Sequence, residues 1–306
     1  MIYFLLSRLA SAFVVSLGVV CLVFLLLHFV PGDPVDVMLG ESAAIADVDA
    51  LRKSLGLDLP IGVQLWHYLV HLAQFDFGQS MYRQQPVVDI LLERIPATAE
   101  LAVAALLFAM LIAFPLGILS AIYKDHVLDR FAMGFSLFGV SIPTFWMGPM
   151  LILVFSLWLG WFPVSGREGW ASLVLPAITL GAALAAILSR MIRSALLEIL
   201  NEDFIRTARA KGLREIEVIL FHGLPNALLP VITILGLQLG VLLGGAVITE
   251  TVFSWPGIGS LLIEAIQQRD YPVVQATVLL ISLVYVTINL MTDILYAWID
   301  PRIRTA

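Results

Sequence analysis

Six stretches of this chain contain no Asp, Glu, Lys or Arg, and each is long enough to cross a lipid bilayer once. They run Leu9–Pro31, Leu101–Tyr123, Phe131–Gly166, Gly169–Ser189, Val218–Thr249 and Tyr271–Thr292. A bilayer's hydrocarbon core needs about 20 apolar residues of helix. The third and fifth stretches exceed that, so part of each belongs to a loop or an interface. Trp158, Trp161 and Phe162 suit an aromatic belt where the third run leaves the membrane. Period-2 alternation is missing from all six, which excludes a β-barrel reading. With 60% hydrophobic and only 13% charged residues in 306, a water-soluble core could not hide so much apolar surface. The predicted fold class is therefore all-α, a polytopic helical membrane protein with about six transmembrane helices.

The first run follows Arg8 as a signal peptide would, but it is too long and leads into His28-Phe-Val-Pro-Gly-Asp-Pro34 rather than a small-residue cleavage site. It reads as a retained first helix. Lys and Arg set the orientation, since cytoplasmic segments carry their excess. With a cytoplasmic N-terminus, inner segments hold 11 of the 17 basic residues and the much longer outer segments hold 6. Both termini are then cytoplasmic. The organisation expected is helix one over residues 1–30, an extracytoplasmic helical subdomain over 31–97, a core of five helices over 98–300 with a cytoplasmic loop at 194–226, and a tail at 301–306.

Within 31–97, Pro31-Gly-Asp-Pro34 is turn chemistry, and Asp47–Leu55 before Gly56 has the start and stop of a short helix. From Gly62 to Gln74, Val63, Trp66, Val70 and Ala73 recur at helical spacing, as do Leu65, Leu69 and Leu72. This suits a helix lying on the membrane surface or packed on the bundle. Pro86–Ile95 reads as another short helix. His67 and His71 stand one turn apart, a spacing able to chelate a metal, but no third ligand follows, so the plainer reading is two interfacial histidines. Cys21 is the sole cysteine, so there is neither an intrachain disulfide nor a thiol cluster.

The most informative segment lies between the fourth and fifth runs. Arg190 to Lys211 is rich in helix formers, Gly212 interrupts, and helix formers resume to Leu224-Pro225. A glycine there permits the positive φ that ends one helix and starts another at a sharp angle. The result is a short basic helix held out into the cytoplasm, with Pro225 near the start of the next, or, on composition alone, a solvated loop that simply follows the excess of basic residues on the inner side.

This segment resembles the cytoplasmic signature of permease subunits in binding-protein-dependent ABC importers: Glu-Ala-Ala, three residues, Gly, nine residues, Ile-x-Leu-Pro. Ala208, Gly212, Leu224 and Pro225 match it, whereas Arg206, Thr207 and His222 depart. The wording Arg206-Thr-Ala-Arg-Ala-Lys-Gly212 is similar to the peptide-permease variant. So are Pro31–Pro34, Ser141-Ile-Pro-Thr-Phe145, Asn226-Ala-Leu-Leu-Pro230, Phe253-Ser-Trp-Pro-Gly-Ile-Gly259, Arg269-Asp-Tyr-Pro272 and Asp300-Pro-Arg302. Together they cover nearly the whole chain, and they most resemble the B-type permease of dipeptide, oligopeptide and glutathione importers, whose relatives include nickel importers.

The resemblance implies a MetI-like permease architecture in the bacterial inner membrane. It implies two separate ATP-binding-cassette ATPases carrying ATP and Mg, a homologous second permease, and an extracytoplasmic solute-binding protein. This chain itself would bind no cofactor and no nucleic acid and catalyse nothing. Indeed, no Gly-x-x-x-x-Gly-Lys-Ser/Thr loop occurs in it. The implied ATPase-coupling residues are Arg206, Thr207, Ala208, Arg209, Ala210, Lys211, Gly212, Leu224 and Pro225. Arg206, Arg209, Lys211 and Arg214 would form rim ion pairs with the ATPase, and Ala208 and Ala210 would allow close approach.

Gly236, Gly240 and Gly244 recur every fourth residue and make a smooth face for another helix, in this subunit or its partner. Glu100, Gln238, Glu250, Asn289 and Asp293 are the notable polar groups in the runs. Glu100, Glu250 and Asp293 lie near run ends, where snorkelling or capping explains them. Ser141-Ile-Pro143 marks a bend. An ion-coupled secondary transporter is the rival class, and would need repeats or broken charged helices that are not evident. A nickel-chelate importer permease is the rival within the resemblance. An intramembrane enzyme lacks His-Glu-x-x-His and Gly-x-Ser-x-Gly alike.

Overall fold

A computed structural model of the chain describes residues 2–29, 35, 39, 45–54 and 56–299. The motifs at Pro31–Pro34 and Asp300–Arg302 lie outside the described residues, as do the side-chain surroundings of Gly244 and Asp293. The described residues are helical throughout, apart from turns and an isolated bridge between Gln79 and Pro86. Among the described residues, four helices are long and apolar enough to cross a membrane, or up to six if each of two bent pairs counts as one span.

The chain divides into two compact units, Met1–Ala97 with Pro256–Val286, and Thr98–Trp255 with Thr287–Ala306. The first unit contains α1 (Ile2–Phe29), α2 (Ile45–Ser54) and α3 (Ile61–Ala73). It also holds the start of α4 (Val87–Ile122), α10 (Ile258–Gln267) and the first turns of α11 (Tyr271–Ile299). The short helix expected over Pro86–Ile95 is not separate. It runs without a break into the second span, because Pro96 costs one backbone hydrogen bond that the surrounding continuous helix tolerates.

This unit's core joins Val87, Ile90 and Leu91 to Ile258, Leu261, Val273 and Val274, with Val23 and Leu27 against them. Carboxylates tie it together. The buried Asp270 accepts from the Ser80 hydroxyl and from the Met81 N–H at 3.1 Å. Glu264 accepts from Arg83 at 3.0 Å and Arg94 at 3.3 Å. His71 meets Asp76 at 3.0 Å, not His67. His67 instead lines a cavity of about 170 Å³ with His28, Gln64 and Gln275. Among the described residues no group of three metal-ligating side chains converges.

The second unit is organised around α7 (Trp170–Ile199). Its Leu175, Leu180, Leu184, Leu188, Ile192 and Leu196 are buried at helical spacing. Around it stand the rest of α4, then α5 (Val127–Ser141) and α6 (Thr144–Leu151), and α9 (Leu224–Val252). α5 and the helical stretch Thr144–Trp158 meet at 103°. The break falls at Pro143, whose ring forbids the helical conformation of Ile142. The second half ends in a π-helical turn, Ile152–Trp158, which leads Trp158 and Trp161 outward.

In lipid, helices gain little from hydrophobic association and depend on close packing. Small residues supply it here. A Cβ on Gly181 would stand 2.5 Å from the Ala105 carbonyl oxygen, and one on Gly117 would stand 2.8 Å from both Ile192 and the Ser189 carbonyl oxygen. One on Gly236 would overlap the Thr292 side chain, so α9 and α11 approach closely at this position. Gly240 is buried as well.

Glu250 departs from expectation. It is fully buried, not snorkelling, and Thr98 donates to it at 2.6 Å. Glu100 does behave as a span-end residue, in an exposed pair with Arg167 at 2.7 Å.

Gly181→Ala is expected to cost about 1–3 kcal/mol, because backbone cannot retreat from the added methyl. Gly134→Ala, where a Cβ meets nothing within 4 Å, should be neutral. Thermal midpoints of the two variants in detergent provide the comparison.

Candidate coupling loop

Residues 201–225 of the second unit bring the sequence-predicted loop residues together on one short element. α8 (Asp203–Ala210) begins after Glu202 in extended backbone, with Asp203 in its first turn and Arg209 in its last. That placement complements the helix dipole at both ends. α8 is amphipathic on a small scale. Ile205 and Ala208 are buried against Val218, with Ile199 and Leu200 beside them. Arg206, Thr207, Arg209, Ala210 and Lys211 are exposed.

Gly212 then takes φ +81°, and its N–H donates to the Arg209 carbonyl at 2.9 Å. A Cβ at Gly212 would meet nothing within 4 Å. The glycine is required for its left-handed backbone, not for space.

After the turn, the Arg214 N–H donates to the Glu217 carboxylate at 3.1 Å and opens a new helical turn. A π-helical turn, Val218–Gly223, follows, and α9 begins with Pro225 in its first turn. Leu224 is half-buried and Pro225 exposed. Gly223 packs on Leu196, where a Cβ would lie 3.2 Å from its methyl. Ala121, Ala195, Leu196, Ile219 and Ala227 form one core under the loop. The loop is thus seated on the ends of α4, α7 and α9.

Two of these side chains are engaged within the loop itself. Ala208 does not offer a partner close approach, because its methyl is spent in the loop's own core; Ala210 remains available. Arg209 is not a free rim charge. Its guanidinium grips Glu215 at 2.7 and 3.1 Å across the Gly212 turn. Hydrogen bonding to that carboxylate holds Arg209 above the ordinary guanidinium value. Arg206 pairs with Asp203 at 3.2 Å, an exposed contact of little energetic weight.

Two features escaped the sequence reading. One is an outward apolar group beside the basic residues, comprising Phe204, Leu213, Ile216, Leu220 and Phe221, the last 73% exposed. The other is the footing. Asp129, buried at the start of α5, receives both arms of Arg193 from α7 at 2.7 Å. The Asp125 N–H at 2.9 Å and the Ser120 hydroxyl complete its coordination. The spacing of Asp129, three and seven residues from the small Ala132 and Ser136, is the signal that puts it on the buried face.

The geometry is a short exposed helix fixed by its own small core to a helical bundle. Comparison with known proteins places the whole chain. Residues 113–305 match the family model "Binding-protein-dependent transport system inner membrane component", and residues 1–102 match the N-terminal model of such membrane components. The chain belongs to this family.

The permease is 44% identical over 304 residues to the glutathione transport system permease protein GsiC of Salmonella typhimurium strain LT2, covering 99% of each chain. It is 44% identical over 300 residues to GsiC of Escherichia coli K12, covering 98% of this chain and 97% of the other. Its fold resembles the inward-facing MetNI methionine ABC transporter with a TM-score of 0.60 at 20% identity, over 70% of this chain and 97% of the other. An amino acid ABC transporter matches with a TM-score of 0.53 at 15% identity, over 70% and 94%. The protein is therefore a multi-pass inner-membrane permease subunit of a binding-protein-dependent ABC importer, a transport component and not itself an enzyme. Membership implies ATPase and binding-protein partners.

Asp129→Asn should destabilise the permease by about 3 kcal/mol, since it leaves Arg193 with its best partner gone. Ser120→Ala removes one hydrogen bond and should cost about 1 kcal/mol. Thermal unfolding in detergent separates the two.

Proposed function

We propose that the permease passes small peptides of the glutathione class across the inner membrane, and that residues 201–225 are the handle by which a separate ATPase drives it. The observation that carries the handle is the clamp across Gly212. α8 is joined to α9 by a left-handed turn and locked by the Arg209–Glu215 pair. A load applied to α8 then moves the ends of α7 and α9, because Ile205, Ala208, Val218 and Gly223 leave it no independent freedom. Rigid-body shifts of this kind are how packed helices switch between discrete arrangements.

ATP and Mg belong on two partner ATPases, and the handle faces the cytoplasm, as the excess of inner basic residues supports. Both termini share that side. A homologous second permease completes the pathway, and an extracytoplasmic binding protein selects the cargo. Lys211 and Arg214 set the orientation of docking, while Phe204, Leu213 and Phe221 supply contact area. The cargo reading rests on the full-length similarity to two glutathione permeases. Dipeptides and longer peptides are the neighbouring choices.

Three variants test the handle by binding-protein-dependent glutathione uptake and by ATPase co-purification. Gly212→Asn keeps activity, because Asn tolerates the left-handed region, whereas Gly212→Val loses it at a backbone cost of about 1–2 kcal/mol. Survival of uptake and assembly in Gly212→Val would sink the handle. Lys211→Glu should weaken ATPase association more at low salt than at high, as screening requires. Glutathione that neither binds the cognate binding protein nor enters vesicles would overturn the cargo reading and leave the handle standing.

A further inference from the structure

α3 presents an unexplained surface. It is a 13-residue helix without a single Asp, Glu, Lys or Arg, whereas α2 beside it in sequence carries Asp47, Asp49, Arg52 and Lys53. Its inward side docks on the last turns of α1. Gln64 meets His28 at 3.0 Å, and the Tyr68 ring stacks on Phe24 with centroids 5.9 Å apart. Burial, then proximity to Cys21, pushes the Tyr68 hydroxyl up to about 12. As α3 advances from 64 to 68, its partner on α1 retreats from 28 to 24. α3 therefore runs antiparallel to α1, back toward the bilayer that α1 has just crossed.

The opposite side of α3 is a second apolar stripe. Val63, Trp66, Val70 and Ala73 recur at spacings of three, four and three, all exposed, with Trp66 at 66%. At its lower end stands Phe75. The Phe75 N–H donates to Leu72 O and the Asp76 N–H to His71 O, both at 3.0 Å, which is the paired ending that helices close with a glycine. Phe75 fills that position at φ +58° and is 82% exposed. A bulky ring held in left-handed backbone, with its face outward, is strain without any packing return in the protein.

We propose that the Val63–Trp66–Val70 stripe and Phe75 form a membrane-dipping foot, seated in the leaflet on the side of the α1 C-terminus at the headgroup–acyl boundary. The occupant is lipid for three reasons. α3 docks on the last turns of α1, a helix long and apolar enough to cross a membrane that itself leaves Leu22, Leu25, Leu26 and Phe29 exposed. Trp at the centre of a charge-free helix is the interfacial pattern. A face for a soluble protein would carry a charged rim, and α3 contains no Asp, Glu, Lys or Arg. The flanking His67, His71 and Gln74 fit the headgroup layer. The foot anchors the first unit against the membrane surface. This inference needs only the bilayer that family membership supplies and does not depend on the coupling handle.

The single native cysteine makes the test direct. In a Cys21→Ala background, Trp66→Cys, Val70→Cys and Phe75→Cys are labelled with a small environment-sensitive fluorophore. The full-length permease, assembled with its partner subunits but without binding protein, is placed in nanodiscs. Nitroxide on the upper acyl chain should quench all three probes severalfold more than a probe at Lys53→Cys on α2, while aqueous iodide shows the reverse order. Stronger quenching by iodide than by lipid nitroxide at Val70 and Phe75 would place the stripe in water and overturn the proposal. Shielding from both quenchers would mean protein covers it, and would overturn the proposal equally.

Discussion

The second unit depends on how closely its helices approach α7. Lipid tails are as apolar as leucine, so burying a leucine between helices gains little over leaving it in the bilayer. What does stabilise the bundle is contact that lipid cannot match. Gly117, Gly139 and Gly181 let α4 and α5 settle against α7 at distances where a methyl group would collide with Ile192, Ala186 or the Ala105 carbonyl oxygen. Ser136 and Ser189 add a hydroxyl pair at 2.8 Å across the same approach. A hydroxyl between two helices costs little when it is satisfied there, and it specifies register where leucines would slide. The Asp129–Arg193 pair fixes the end of α5 against the end of α7 in the same way, with four hydrogen bonds shared over one carboxylate.

That close-packed base is what the loop is seated on. An exposed eight-residue helix is far too short to be stable alone. α8 holds its shape because Ile205 and Ala208 reach a core shared with Val218 and the end of α7. The basic residues on its outer side add charge without adding stability, since exposed pairs such as Arg206–Asp203 contribute little. Stability thus comes from one side of this short helix, and the other side is left for the docking proposed above. The Arg209–Glu215 pair differs from the others because it spans the turn. It closes the angle between two helices and does not decorate one of them.

The spans were legible in the sequence because lipid imposes a compositional rule that no tertiary contact can override. Gly212 was legible for a related reason: a positive φ is a local demand, and a glycine between two helix-forming runs announces it. The break at Pro143 belongs to the same class. What the sequence did not show was which side of a residue the protein would claim. Ala208 and Ala210 are chemically identical and two positions apart, yet one is buried and the other exposed. Arg209 and Lys211 look equally available until Glu215, six residues beyond Arg209, is seen to fold back across the glycine. Glu250 lies near a span end by sequence, but Thr98 reaches it from a helix more than 150 positions away. Each miss is a long-range or across-turn partner that periodicity cannot encode.

The direction of α3 belongs with those misses and shows what tertiary information adds. Its sequence allowed two readings, a helix on the membrane surface or one packed on the bundle, and the apolar residues at both sets of spacings supported each. The contacts at His28 and Phe24 assign Gln64 and Tyr68 to the packed side. Once that side is taken, Trp66 and Val70 must point away from it, since residues two positions from a packed one lie across the helix, and Val63 is exposed with them. The two readings then cease to compete. A short helix with two apolar faces and no charge can satisfy both only where protein and lipid meet, and the end of a membrane span is such a place.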